Sequence, residues 1–559
     1  MSAKRGWLVV LAATALVYFF HLGSFPLLGP DEPRYAQVAR EMLDRGDWVT
    51  PTLGGQPWFE KPALLYWLMT AFYALFGVSE FTARAGSALC GLSSIALVGW
   101  AAARAEHESG MRLRGLGLAC AVVTASCAGL VVFSHAATFD IVLTATVTAA
   151  LACFYASEVE RDEAGRRLML AGFYAAVGAS LLAKGLAGLV IPAGVVVFYH
   201  LLRRRFPNPL RLGAWWGVLL TAAVAALWYA PVMLRHGREF FDAFILQHHF
   251  ARYLSNKYAH PQPFWFYAPI TLMLALPWTV FFARGLWAAR GVNWHADDAE
   301  TKLRALAVAW VLVPVAFFSL SGSKLPGYVL PGLPGALLLA GWVVLKYLRG
   351  EGELWTMRLT GVLALLLFAA GAVYAATQFG WAPGGAGAAP VAMLSLGCVA
   401  AAVAPSGVAA VVALFSARRR WLAFVTIAGA TLLTVVLVAA CALEGAARAE
   451  TLAPLLAEAE REGHGRLRVL HMMTPERSSQ FYAAGRVDYD EGGDLRLLIG
   501  SNEMAAAVAA AGGEALVIVP PEYDYKVPDA EGVEWRRLGD NGASVLFHVR
   551  TAGARRDEP

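Results

Sequence analysis

Trp7-Leu8-Val9-Val10-Leu11-Ala12-Ala13-Thr14-Ala15-Leu16-Val17-Tyr18-Phe19-Phe20-His21 carries no formal charge, and Gly29-Pro30-Asp31-Glu32-Pro33-Arg34-Tyr35 follows closely after it. The first stretch could be the apolar core of a signal peptide or a first membrane helix. Its flank, Leu22-Gly23-Ser24-Phe25-Pro26, runs on into the charged stretch, so we read a retained helix. Trp58-Phe59-Glu60-Lys61-Pro62 lies in the same connector. Charges clustered at a bilayer edge cost desolvation energy unless they pair or face water, and such a cluster is a candidate functional site.

Working outward, the chain has 559 residues, 58% hydrophobic and 16% charged, with mean hydropathy +0.52. A soluble chain would carry roughly a quarter charged residues. Apolar runs of about 18 residues or more recur along most of the sequence, each long enough to cross a hydrocarbon core. The fold class is therefore a polytopic α-helical membrane protein of about 13 transmembrane helices. The spans are expected near 6–22, 82–103, 115–134, 139–157, 168–183, 185–202, 213–233, 265–283, 305–320, 328–345, 358–377, 391–416 and 421–442. The net charge of +5 is small and its basic residues fall between spans. We read it as a topology signal rather than a nucleic-acid-binding one. Cys90, Cys120, Cys127, Cys153, Cys398 and Cys441 lie in apolar sequence with no close-spaced ligand pair. They read as small buried hydrophobes.

Alternate connectors hold the basic clusters Lys4-Arg5, Arg166-Arg167, Arg203-Arg204-Arg205 and Arg418-Arg419-Arg420. These are expected inside, with the N-terminus, and an odd span count puts the C-terminus outside. The outward set includes loops 23–81 and 234–264, the turn before Asp140, Lys184 and the Ser321–Tyr328 turn. Within 23–81 a short helix is expected over Glu32–Arg45 with Asp31 as its N-cap, and Ala63–Gly77 reads as an interfacial helix. Residues 1–443 form the membrane domain. Residues 444–559 read as a small outer α/β domain, with strands at Leu467–Leu470, Leu495–Ile499 and Ala515–Val519 and a helix over Ser501–Ala511.

Candidate chemistry gathers on the outward side. Asp31 is either a plain N-cap or a general base toward an acceptor hydroxyl. Arg34 and Lys61 suit a phosphate, one through a planar fork and one as a point charge, or they pair with Glu32 and Glu60. Asp140 follows Thr138-Phe139 at the outer end of a span. Lys184 interrupts apolar sequence, either snorkelling or binding phosphate. Lys324 and Tyr328 suit a lipid phosphate or an interface anchor. Loop 234–264 carries His248-His249, Arg252, Tyr253 and His260. Arg252 and Tyr253 are candidate substrate-binding residues, and His260 with Glu60 would supply half of a zinc-type site.

Asp31-Glu32-Pro33-Arg34-Tyr35, then Ala39-Arg40-Glu41-Met42-Leu43 and Gly46-Asp47-Trp48, resembles the first outer loop of the bacterial aminoarabinose transferases that modify lipid A. These belong to the protein O-mannosyltransferase-like group of GT-C glycosyltransferases. Phe59-Glu60-Lys61-Pro62, Lys184-Gly185, His260 with Pro263-Phe264-Trp265, Leu276-Pro277-Trp278 and Lys324-Leu325-Pro326 with Tyr328 match in the same order. Thr138-Phe139-Asp140-Ile141 departs from the family's usual Leu-Asp-Pro.

The resemblance implies a GT-C fold with a periplasmic active site in the bacterial inner membrane. It implies an undecaprenyl phosphate sugar donor and an acceptor on lipid A or another envelope molecule, with membrane lipids as surroundings and no nucleic acid. The chain is expected to act as a monomer without a required cofactor, zinc being a further option. Asp31 carries over as the central acid and Asp140 as the second, with Glu60 as a further catalytic candidate. Arg34, Tyr35, Glu60, Lys61, Lys184, Lys324 and Tyr328 carry over as groups around the donor. The implied reaction is inverting transfer, most simply of aminoarabinose to a lipid A phosphate. A related transferase acting on protein or another glycan is the alternative within the class. A lipid-linked sugar flippase is the alternative outside it. A transporter should show ionisable residues at mid-span and related halves, whereas these charges cluster at the outer face without an internal repeat.

Overall fold

Uninterrupted runs of Leu, Ala, Val and Phe satisfy their backbone hydrogen bonds only as helices when water is absent, and helices dominate the molecule. The computed structural model describes residues 3–244, 262–379, 388–415, 417–441, 450–490 and 493–552. The chain divides into two compact units. The first comprises Met1–Leu22, Phe59–Leu65 and Arg84–Ala440, and the second Gly23–Trp58, Tyr66–Ala83 and Cys441–Pro559.

The first unit is helical. It contains α1 (Ala3–Phe19), most of α4 (Glu80–Ser109), α5 (Leu116–Ala125), α6 (Ala128–Ser134), α7 (Phe139–Val159), α8 (Glu163–Lys184), α9 (Ala187–Leu202) and α10 (Ala214–Phe240). It continues with α11 (Tyr267–Leu274), α12 (Thr279–Ala288), α13 (Ala299–Ser319), α14 (Leu333–Leu348), α15 (Leu354–Phe379), α16 (Ala388–Phe415) and α17 (Arg420–Cys441). Among the described residues, seven helices have the length and composition to cross a membrane, or nine if two bent pairs count as one span each. The remaining expected spans coincide with shorter apolar helices such as α1 and α9. The span over Pro326–Leu348 is 94% buried and central, whereas that over Ala214–Phe244 is 28% buried and peripheral.

The two bent pairs are α5–α6, at 57°, and Phe264–Leu274 with Thr279–Gly291, at 117°. Each break frees backbone groups that bilayer lipid cannot satisfy. Here the two breaks satisfy each other. Ala128 N donates to the Leu276 carbonyl at 2.7 Å, Cys127 Sγ to the Leu274 carbonyl at 3.1 Å, and Trp278 Nε1 to Ser126 Oγ at 3.1 Å. Gly129 lies so close that a Cβ there would sit 2.7 Å from the Leu274 carbonyl.

The second unit holds α2 (Asp31–Arg45), the hairpin β1 (Thr52–Leu53) and β2 (Gln56–Pro57), and α3 (Leu64–Phe76) from Tyr66 onward. Its C-terminal part contains α18 (Ala453–Arg461), β3 (Arg468–Met472), α19 (Ser479–Tyr482), β4 (Leu497–Leu498), α20 (Ser501–Ala510), β5 (Glu514–Val519), β6 (Val533–Asp540) and β7 (Val545–Thr551). The sheet order is β4-β3-β5-β7-β6, parallel from β4 through β5 and antiparallel beyond. Alternation along the strands sends Val517, Val519 and Phe547 toward Met504 and Val508 of α20. It sends Leu516, Ile518 and Leu546 toward Leu455 and Leu456 of α18.

Two sequence expectations change. The helix of the first loop begins at Asp31, and Pro30 occupies the N-cap position with no side-chain cap bond. Asp31 is therefore not the N-cap, because its carboxylate turns along the first turn to Arg34, three residues on. Glu32 Oε2 instead takes the Leu28 N–H at 2.8 Å. The C-terminal α/β part also contains the β6–β7 hairpin, beyond the three strands expected from sequence.

Candidate functional site

In the helical unit the best-built cluster centres on Lys184. It is the last residue of α8, where Gly185 at φ +62° ends the helix and lets α9 restart at Ala187. Its ammonium forms an ion pair with Asp140, in the first turn of α7, and both side chains are largely shielded, at 16% and 18% exposure. The same ammonium lies 4.3 Å from the centroid of the Tyr328 ring, within cation–π range. Tyr328 belongs to the 3-10 segment Pro326–Gly332 that leads into α14. At Gly327 a Cβ would run into Asp140 Oδ2, so only glycine lets this segment lie against the carboxylate. Tyr267 Oη, from α11, donates to the Leu325 carbonyl at 3.1 Å and fixes the turn.

Lys324 is buried, and its ammonium donates to the Ser321 carbonyl at 2.6 Å, within its own turn. Glu60 and Lys61 form a second shielded pair at 2.7 Å. Phe59 beside them packs edge-on against His236 and Phe240, at 5.0 and 5.2 Å between centroids.

In the other unit, Arg34 Nη2 meets Asp31 Oδ1 at 2.5 Å. The Arg34 side chain is 13% exposed, and that of Asp31 is 51% exposed, so the acid keeps an open flank. The guanidinium lies 5.4 Å from the Trp58 ring centroid and 5.8 Å from that of Tyr35. Tyr35 in turn meets Tyr66 edge-on at 6.2 Å. An aromatic cradle of this kind holds a planar cation in one orientation.

Of the residues expected from sequence, the fold brings Asp140, Lys184 and Tyr328 together. It also pairs Asp31 with Arg34 and Glu60 with Lys61. Arg252, Tyr253 and His260 lie outside the described residues, and with them the Glu60–His260 metal pairing. Sequence reasoning missed Glu41. Its carboxylate accepts from Thr52 Oγ1 at 2.7 Å, Gly54 N at 2.8 Å and Gly55 N at 3.1 Å, locking the β1–β2 hairpin to α2. The available signal was Gly54-Gly55 between two short runs, a hairpin turn that needs φ above zero at both positions, as it has at +62° and +80°.

A family model described as dolichyl-phosphate-mannose-protein mannosyltransferase matches residues 5–289. The chain is 34% identical over 369 residues to the undecaprenyl phosphate-alpha-4-amino-4-deoxy-L-arabinose arabinosyl transferase of Pseudomonas aeruginosa (strain UCBPP-PA14), covering 65% of this chain and 64% of that one. It is 32% identical over 375 residues to the protein of the same name from Aeromonas salmonicida (strain A449), covering 64% of each. These matches therefore span just under two thirds of the curated relatives' length. Among solved structures, ArnT from Cupriavidus metallidurans bound to undecaprenyl phosphate superposes with a TM-score of 0.76 at 24% identity, covering 98% of each chain. That likeness establishes a shared fold.

Proposed function

Because this chain belongs to the family described as dolichyl-phosphate-mannose-protein mannosyltransferase, we propose that it is an inverting integral-membrane glycosyltransferase using a polyprenyl phosphate sugar. The observation that carries this reading is Lys184, held between the Asp140 carboxylate and the Tyr328 ring at the end of a span. A shielded cation at that depth suits a phosphate that arrives on a lipid. The names of the relatives point to undecaprenyl phosphate 4-amino-4-deoxy-L-arabinose as donor. A lipid A phosphate is the acceptor we favour.

In the proposed reaction an acceptor oxygen attacks the anomeric carbon. The bond from that carbon to the carrier phosphate oxygen breaks, and undecaprenyl phosphate leaves with the electron pair. Negative charge grows on the departing phosphate, where a fixed cation lowers the barrier most. We assign Lys184 to that charge, with Asp140 and Tyr328 holding its ammonium in place. Glu60 and Lys61 form a second acid–base pair of the same unit that we assign to donor binding. An acceptor phosphate needs no deprotonation. An acceptor hydroxyl would pass its proton to a carboxylate, the role we give to Asp31. Arg34 and its aromatic cradle are then a site for an anionic group of a substrate. We further propose that the chain acts as a monomer in the bacterial inner membrane, with its N-terminus cytoplasmic, its sheet-bearing part periplasmic, and no required cofactor.

A second reading, transfer to protein, is favoured by the description of the family model itself. Membranes containing the protein are supplied with undecaprenyl phosphate aminoarabinose and either lipid A or a protein fraction. Release of undecaprenyl phosphate that depends on lipid A, with lipid A gaining the sugar's mass, is the expected result. Release that depends on protein would favour the second reading. No release with either acceptor would overturn the transferase assignment for this donor.

A further inference from the structure

The face of the five-stranded sheet that packs on α18 is apolar through Leu516, Ile518 and Leu546, then changes character toward the start of β5. On β7, His548 lies opposite Leu516 of β5 and Arg536 of β6, and so on the same face. Glu514, two residues before Leu516, occupies the next position of that face. His464 reaches it from the loop after α18. That loop is fixed by Gly463 at φ +90°, by His464 N donating to the Ala459 carbonyl at 2.8 Å, and by Leu467 N donating to the His464 carbonyl at 3.2 Å.

The two imidazoles stack with centroids 4.0 Å apart and planes 18° from parallel. His548 Nε2 lies 2.5 Å from Glu514 Oε1. One ligand atom from each of His464, Glu514 and His548 lies within 4.8 Å of the other two. Bonds of roughly 2.0–2.2 Å to imidazole nitrogen and carboxylate oxygen place the ligand atoms of a tetrahedral ion about 3.4 Å apart. Small side-chain swings on a fixed backbone therefore suffice to close the set.

We propose that His464, Glu514 and His548 bind one divalent transition-metal ion of the zinc class, tying the α18–β3 loop to β5 and β7. Two imidazoles and one carboxylate select a borderline ion over magnesium or calcium, which prefer all-oxygen sets. The competing arrangement is a stacked histidine pair with a single hydrogen bond to Glu514. Arg536 separates the two. Its Nη2 lies 3.4 Å from His464 Nε2, one of the two ring nitrogens open to a metal, while the same guanidinium is ion-paired with Glu462. Arg536 is thus a competitor for the site and Glu462 its anchor.

The test uses the full-length protein in detergent, stripped with a chelator and titrated with Co2+ followed by Zn2+ competition. We expect one tight equivalent whose affinity falls at least ten-fold in His464→Ala and in His548→Gln. X-ray absorption of the bound ion should show two imidazole ligands. Arg536→Ala should bind several-fold more tightly, an effect that a stacked pair without metal cannot produce. Binding at Glu60 is told apart by repeating the titration on Glu60→Gln, which should keep the equivalent. Absence of a tight equivalent in the unmodified protein would overturn the proposal. So would one lost in Glu60→Gln but kept in both histidine variants, or an affinity unchanged by Arg536→Ala.

Discussion

At the residue scale, the acids and bases assigned to chemistry are already engaged with one another. Lys184 and Asp140 are both largely shielded, and removing one partner leaves an uncompensated charge. Lys184→Met should therefore lose transfer and destabilise the protein, whereas Lys184→Met with Asp140→Asn should regain expression but not transfer. Loss of one charge-assisted bond to phosphate costs about 1.5–3 kcal/mol, roughly ten- to a hundred-fold in donor use. A steady-state release assay on both variants, with thermal denaturation alongside, separates the two contributions. Asp31 differs, because its side chain is half exposed and caps nothing. Asp31→Asn should fold normally and lose about 100-fold or more of the rate toward a hydroxyl acceptor. Toward an acceptor that is already ionised it should lose far less. Comparing the two acceptors with the same variant tests whether Asp31 moves a proton. The sequence made the candidates visible, since charges interrupt apolar runs at Asp140 and Lys184. It did not reveal that Tyr328 would close on Lys184, because that contact joins α8 to a segment far along the chain.

At the element scale, the interlocked breaks give Leu276-Pro277-Trp278 a structural meaning. The motif lies where one broken helix receives the amide and donates the indole that the other needs. Gly129→Leu should prevent this approach and abolish accumulation of folded protein, while Trp278→Phe, losing one hydrogen bond, should cost about 1 kcal/mol. Size-exclusion profiles and melting curves in detergent distinguish these outcomes. In the sheet, burial pushes His471 of β3 down to about 4 from its ordinary value of 6.5. The folded state thus holds a neutral imidazole where the unfolded chain protonates more readily. Stability is full above about pH 6.5 and declines as pH falls toward 4, by about 3 kcal/mol in all. Denaturant unfolding followed across that window should show the slope, and His471→Leu should flatten it. Run length and periodicity exposed the helices and the strands around Leu470, Leu498 and Val517. They left the β6–β7 hairpin hidden, because β6 reads Val533-Glu534-Trp535-Arg536-Arg537, an edge strand too polar to stand out. The Asn541-Gly542 turn after it was the legible clue.

At the scale of the whole molecule, the apolar runs and basic connectors predict which side each loop faces. Gln56→Cys should react with a membrane-impermeant thiol reagent added from outside, and Phe206→Cys should react only after permeabilisation. Labelling of both from outside would contradict the orientation we propose. What linear reading could not supply is the partition of the chain. Gly23–Trp58 and Tyr66–Ala83 share a unit with Cys441–Pro559, although hundreds of helical residues intervene. The joints are specific. Tyr482 Oη accepts the Leu27 N–H at 2.8 Å and donates to Glu80 Oε1 at 3.1 Å, and a Cβ on Gly54 would sit 2.5 Å from the Tyr489 ring. A ribosome makes Asp31 early and Tyr482 late. The loop must therefore wait, without the C-terminal part of its packing, while nearly all the helices are synthesised. A nascent chain stopped at Ala440 should stay open to protease across 23–58, and the same segment should become resistant once residues 441–552 have been made. Maturation of the loop is thus timed by synthesis of the segment that carries Tyr482 and Tyr489.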